Sequence, residues 1–203
     1  MIDRPELPAA PDLPLSIGGL PVPLARIDPA ALPPMSQPVE RAWAALHQVL
    51  DPEVPALSVC DLGIVREVRY ESGTLEVWLT PTYSGCPATE AIERAVRLAL
   101  AESGFESVQV HQRRAPAWTT DWISPQGRAK LKAYGIAPPA HLLPDGAVPI
   151  RVVRGAASTS LTINCPRCDS AHTERLSAFG STACKSLWRC RACGEPFEHF
   201  KPI

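Results

Sequence analysis

The stretch "IVREVRYESGTLEVWLT", Ile64 to Thr80, decides the fold. "IVREVRY" and "TLEVWLT" each alternate apolar and polar residues, and the "ESG" between them is turn chemistry, so the segment predicts a β-hairpin with Leu75, Val77 and Leu79 facing a core. Downstream, "PATEAIERAVRLALAESG" places Ala88, Ile92, Val96 (or Ala95) and Ala99 on one helical face. Glu90 to Arg94 and Glu93 to Arg97 are i,i+4 pairs on the other face, and Gly104 is the stop. "SVQVHQ" then predicts a third strand. Upstream, Val39, Trp43, Leu46 and Leu50 recur at helical spacing, with Ser36 and Pro38 in the first turn and Asp51-Pro52 at the end. The order helix, strand, strand, helix, strand implies an α+β domain with its helices on one face of a short sheet.

A further helix is marked by Ser124 as N-cap, Pro125 at the first position and Gly135 as the stop, with Trp118 and Trp122 expected to cover the sheet or the junction. Four segments result. Residues 1–35 are a proline-rich arm expected to lack regular structure, 36–137 the α+β domain, 138–160 a linker, and 161–203 a small β-rich module. The 23 prolines among 203 residues are concentrated in the arm, where each removes a backbone donor and restricts its predecessor. A net charge of -1 gives no global reason to expect nucleic acid or an anionic membrane as partner. The acidic, proline-rich start does not read as a signal peptide, and no run reaches the roughly 18 apolar residues of a membrane helix. Cytoplasmic placement is the expectation.

The sharpest chemical signal is "CPRC", Cys165 and Cys168, matched by "CRAC", Cys190 and Cys193. Two residues between cysteines let a tight turn aim both sulfurs at one ion, and the interval between the pairs holds a short hairpin, so this is zinc-ribbon spacing. A structural zinc is expected, with a rubredoxin-like iron or a shared iron–sulfur cluster as the minority options. Cys184 is read as a packed thiol by default, with an extra metal ligand or a redox thiol as alternatives. The ribbon's basic residues, Arg167, Arg175, Lys185, Arg189, Arg191 and Lys201, barely exceed its acids, Asp169, Glu174, Glu195 and Glu198. A nucleic-acid interface therefore ranks below protein docking.

Cys86, in "TPTYSGCP" (Thr80 to Pro87), stands outside that pattern. If the second helix begins at Pro87, Cys86 is its N-cap, Gly85 supplies the turn, and the helix dipole favours the thiolate. Burial would instead raise its pKa and leave it inert, and local sequence leaves both alternatives open. Asp51 and Glu53 in "DPEVP", and Ser58, Cys60 and Asp61 in "SVCDLG", either staple loops or line a site with Cys86.

"DPEVPALSVCDLGIV" together with "TPTYSGCP" resembles the small iron–sulfur assembly domain of cluster-targeting factors and SufT-like bacterial proteins. "WTTDWISPQGRAKLKAYGIAPP" and the cysteine-rich end resemble one subgroup, the PaaD (PaaJ) family, over about residues 38–203. The resemblance implies that Cys86 is the reactive thiol or transient cluster ligand, supported by loops carrying Asp51, Glu53, Asp61, Gly63, Thr80 and Gly85. It implies an accessory maturation factor, not an enzyme, that assembles or delivers an iron or iron–sulfur centre to the phenylacetyl-CoA ring-epoxidizing system. Expected partners are the oxygenase subunits or their iron–sulfur reductase and the cluster-assembly machinery. A homodimer sharing one Cys86 from each chain, or a partner supplying ligands, is implied, because one thiolate cannot hold a cluster alone. The rival is an integral, non-catalytic oxygenase subunit, and a nucleic-acid binder ranks last.

Overall fold

The computed structural model describes residues 16–17, 20–21, 30, 32–83, 85, 87–140 and 163–203. The elements are β1 (Ser16–Ile17), β2 (Leu20–Pro21), α1 (Pro38–Leu46), β3 (Val65–Glu71), β4 (Thr74–Leu79), α2 (Thr89–Glu102), β5 (Ser107–Gln112), α3 (Pro125–Tyr134), β6 (Ile136–Ala137), β7 (Thr173–Ser177), β8 (Lys185–Cys190) and β9 (Pro196–Phe200). The first domain is mixed α and β, as its alternation predicts.

β3 and β4 are antiparallel and joined by Ser72-Gly73, both with positive φ, the two-residue hairpin loop that matches strand twist. β5 adds to β4 in parallel, with α2 as the crossover, giving the order β3-β4-β5. Leu75, Val77 and Leu79 point inward and are buried, as are Ile92, Val96, Ala99 and Leu100 of α2. Each fully buried Leu or Val contributes roughly 1.5–3 kcal/mol relative to exposure. The opposite sheet face bears Trp78 stacked on His111, with centroids 5.1 Å apart.

Three details differ from the sequence expectation. The buried stripe of α1 and the turn after it is Ala42, Ala45, Leu46 and Val49, while Val39 and Leu50 are only half-buried. Small side chains let α1 pack closely against α2 and β3. α2 begins at Thr89, with Ala88 as its N-cap and the Ala88 carbonyl accepting the Ile92 amide at 2.8 Å. The N-cap is therefore not Cys86, which lies outside the described residues. Within the proline-rich stretch, Ser16–Ile17 pairs with Leu20–Pro21, and Leu32 is buried in the main core. Regular structure thus reaches a segment whose prolines predict none, since proline is tolerated at strand ends. Of the expected linker, residues 141–160 lie outside the described residues.

The α3 caps are as read. Ser124 Oγ accepts the Gly127 amide at 2.9 Å, and Gly135 closes the helix at φ +94°. From there β6 pairs in parallel with β9, so a second sheet, β6-β9-β8-β7, spans the α+β domain and the cysteine-rich module. Phe200 of β9 packs against Trp118, 6.2 Å between centroids, and both belong to the main core together with Cys184. The Ile203 carbonyl accepts the Thr120 amide at 3.1 Å. No helix among the described residues is long and apolar enough to cross a membrane.

Candidate metal centre and thiol cleft

At the ends of β8 and β9 and in the turn before β7, Cys165, Cys168, Cys190 and Cys193 converge, with all four sulfurs within 4.8 Å of one another. Cys165 and Cys193 sulfurs are 3.8 Å apart, and Cys168 and Cys190 sulfurs 3.6 Å. A tetrahedral ion with metal–sulfur bonds of about 2.3 Å places its ligands about 3.8 Å apart, so the knot has the dimensions of a four-thiolate metal site. Backbone amides support it. The Cys193 amide lies 3.5 Å from Cys190 Sγ, and with the Ala192 amide it holds that thiol down at about 6. A small cluster of Ala137, Ile163, Trp188 and Phe197 packs around the two buried ligands. Glu174 clasps both Arg189 and Arg191, tying β7 to the β8 end.

Cys184 is not part of this knot. It is buried in the main core, 3.0 Å from Thr182 Oγ1 and 3.7 Å from Glu53 Oε2, and burial pushes its thiol up to about 11. Docking of the ribbon carries this sulfur onto the α+β domain, apart from the four clustered sulfurs. Cys60 is half-buried, and desolvation, with the Asp61 charge, pushes it up to about 12.

The acidic loops are staples. Asp51 Oδ1 accepts the Glu53 and Val54 amides at 2.9 and 2.8 Å, and burial pushes its carboxyl up to about 6. Asp61 is 2 % exposed; Oδ2 accepts the Ser58 amide and hydroxyl, each at 2.9 Å, and the Lys130 ammonium at 2.7 Å. Burial raises the Asp61 pKa, but Lys130 and Ser58 more than offset this and hold it below the ordinary carboxylate range. Gly63 has φ +68°, and a Cβ there would stand 2.6 Å from the Trp122 carbonyl, so only glycine fits. The Asp-Leu-Gly turn is thus the joint that seats α3. Lys130, its ionic partner, reads from sequence only as a solvent-facing helix residue.

Thr80 and Gly85 sit elsewhere, on a cleft of about 570 Å³. Its walls come from the end of β4, the first turn of α2, Gln112 at the end of β5 and Arg114 after it, Trp118, and Ile203. Thr80 is 1 % exposed; its amide reaches the Ile64 carbonyl at 2.9 Å, while Oγ1 has no hydrogen-bond partner among the described residues. Sequence inspection missed Gln112, Arg114 and Trp118 here, and the tandem arginines ending the β5 alternation were the available signal. Asp51, Glu53 and Asp61 do not line this cleft.

An α+β domain fused to a four-cysteine metal ribbon defines the class. Residues 40–111 match the family model described as iron-sulfur cluster assembly protein, and residues 150–201 match the PaaD zinc beta ribbon domain. The chain is 46% identical over 171 residues to a putative 1,2-phenylacetyl-CoA epoxidase subunit of Escherichia coli (strain K12), covering 81% of this chain and 93% of that protein. The chain belongs to the PaaD family. It is also 34% identical over 94 residues to the Fe-S protein maturation auxiliary factor YitW of Bacillus subtilis (strain 168), covering 45% of this chain and 91% of that one. A solved domain of unknown function DUF59 from Bacillus anthracis, 23% identical, aligns with a TM-score of 0.45 over 47% of this chain and 92% of its own.

Proposed function

We propose that the protein is an accessory maturation factor that assembles or delivers an iron or iron–sulfur centre to the multicomponent phenylacetyl-CoA ring epoxidase. Cys86 is its reactive thiol and transient cargo ligand. The observation that carries this is the state of the other sulfurs. Cys60 and Cys184 are held protonated by burial, and the remaining four form the knot, so Cys86 is the thiol left for exchange. Its neighbour Gly85 lines the cleft above Thr80. The names of the two relatives, one an epoxidase subunit and one an iron–sulfur maturation factor, support the same assignment.

In this scheme the ribbon ion is a structural zinc, and the ribbon surface contacts the client, an oxygenase subunit or its iron–sulfur reductase. Asp51, Glu53, Asp61 and Gly63 hold the framework. The upstream cluster-assembly machinery supplies the cargo, and a homodimer or partner completes its ligand set. The test is Cys86→Ser in cells expressing the epoxidase components, followed by iron and acid-labile sulfide analysis of the purified clients. At least a tenfold loss of loading is expected, and full loading overturns the role of Cys86.

The description of the Escherichia coli relative as an epoxidase subunit favours a second reading, an integral non-catalytic component of the complex. That reading requires activity to fall when the protein is omitted from components already loaded with metal, whereas a maturation factor is dispensable at that stage.

A further inference from the structure

The loop after β7 holds a phenylalanine out in solvent. Phe179 is 65 % exposed and Leu176, three positions earlier, 50 %. A single apolar side chain on a surface means little, and Leu98 of α2 is one of these, but two large ones across one turn make a patch. The loop that carries them is fixed. Ser177 Oγ accepts the Phe179 amide at 3.1 Å, the Lys185 carbonyl accepts the Gly180 amide at 2.8 Å, and Glu198 Oε1 accepts the Ser181 amide. Glu198 is in turn held by the buried Lys185 ammonium at 3.0 Å. A Cβ at Gly180 would stand 2.5 Å from Glu198 Oε1, so a side chain there would push this carboxylate off its partners. The backbone is therefore fastened on both sides of Phe179, and the Lys201 ammonium lies over the ring, 4.6 Å from its centre. An exposed aromatic held in one place loses little freedom when a partner covers it, which is the property of an interface anchor.

The rim of this patch is basic. Arg175 has no acidic partner among the described residues, and Glu174 is shared by Arg189 and Arg191. Together with Lys201, these cations face a single carboxylate, in a chain whose net charge is -1. β7 is the outer strand of its sheet, and the register shift between Arg175 and Ser177 makes Leu176 the bulged residue. The bulge interrupts the ladder that an added strand would extend, and like charges oppose pairing of this edge with a second copy of itself. We propose that Leu176 and Phe179 are the docking anchor for the client, seated in an apolar pocket rimmed by Asp and Glu side chains on one component of the epoxidase. This rests on the reading of the chain as a maturation factor for that complex. The basic rim steers an acidic client and fixes its orientation, while the two apolar side chains set how long the complex lasts.

The test measures association of the whole, metal-loaded chain with each separately purified component of the phenylacetyl-CoA epoxidase, the oxygenase subunits and the iron–sulfur reductase, by biolayer interferometry at low and at high salt. One component is expected to bind, with an association rate that falls as salt rises. Phe179→Ser should weaken that binding at least tenfold, mainly through faster dissociation. Arg175→Glu should act on the association rate and flatten its salt dependence. Leu98→Ser, which removes an exposed apolar side chain elsewhere, should change neither. Because Phe179 lies in solvent, Phe179→Ser should keep the metal content and the near-ultraviolet signal of the parent, so that lost binding is not lost folding. No binding by any component, or equal binding by Phe179→Ser, overturns the proposal. Self-association of the parent that Phe179→Ser abolishes also overturns it and makes the patch an interface between copies. A single-stranded oligonucleotide that binds the parent but not Phe179→Ser, and displaces the component, assigns the patch to nucleic acid instead. If Phe179→Ser binds normally while client loading still requires Cys86, only this inference falls; normal loading in Cys86→Ser cells removes the maturation role and leaves the docking patch to stand on its own binding measurement.

Discussion

The Cys184 sulfur lies 3.7 Å from Glu53 Oε2, so a thiol of the ribbon is buried against the carboxylate of a loop 131 residues earlier. Beside it, the buried Lys185 ammonium pairs with Glu198 at 3.0 Å and reaches the Glu53 carbonyl at 3.4 Å. Glu53 thereby holds ribbon and α+β domain together.

Cys184 is consequently expected to be silent to thiol reagents. Burial pushes it up to about 11, and the nearby carboxylates of Glu53 and Asp51 further disfavour the thiolate. In native protein at pH 8, a chromogenic disulfide reagent should leave Cys184 unmodified while Cys184→Ala leaves the metal content intact. Rapid modification of Cys184, identified by peptide mass, would contradict the docked arrangement.

Asp51 makes a pH prediction. Its carboxyl is pushed from 3.8 up to about 6 by burial, so between about pH 4 and 6 the folded chain keeps a proton that the unfolded chain has released. Stability from this group therefore falls as pH rises through that window, by up to about 3 kcal/mol. His199, which burial holds down at about 4 from 6.5, acts oppositely: the unfolded chain binds the extra proton, and stability rises with pH from about 4 to 6.5. Asp51→Asn keeps an acceptor for the Glu53 and Val54 amides and removes the carboxyl titration. The expected result is a urea midpoint that climbs more steeply from pH 4.5 to 6.5 in Asp51→Asn than in the parent. Parallel profiles would show that Asp51 does not retain its proton.

The parts of this molecule legible in the sequence are those whose physics is local. The period of two in Val65–Glu71 and Thr74–Leu79, the Ser72-Gly73 turn, and the Ser124 and Gly135 caps of α3 each depend on residues within one turn or one strand. The cysteine knot was legible because a metal turn needs its two sulfurs three positions apart. What failed was tertiary. Val39 and Trp43 are more apolar than Ala42 and Ala45, yet the small residues mark where α1 comes closest to its neighbours. β6 has two residues and hence no period, and it exists because β9 presents an edge. The partnership of Asp61 with Lys130, 69 positions apart, has no local signature, so the carboxylate read equally well as a group lining a site with Cys86 or as a staple.

The knot's connection to the main core gives the last prediction. Among the described residues, the cluster around Cys165 and Cys190 buries Ala137, Ile163, Trp188 and Phe197, too little apolar surface to order a module of this size without a bound ion. Cys193 is exposed, so Cys193→Ser removes a ligand without opening a cavity. Metal content measured by mass spectrometry should fall from one ion per chain to a small fraction of that. The near-ultraviolet signal of Trp188 should be lost, since its indole donates to Ser186 Oγ at 2.9 Å and packs on His199 only while β8 and β9 are paired. The effect should also travel. Phe200 on β9 meets Trp118 in the main core, and β6 depends on the same strand, so the thermal midpoint of the α+β domain should drop by several degrees in Cys193→Ser and on chelation of the parent. Cys184→Ser should retain its ion. A Cys193→Ser protein with full metal content would show that the four sulfurs do not act as one site, and an unchanged α+β midpoint after chelation would show that the two sheets do not share a core.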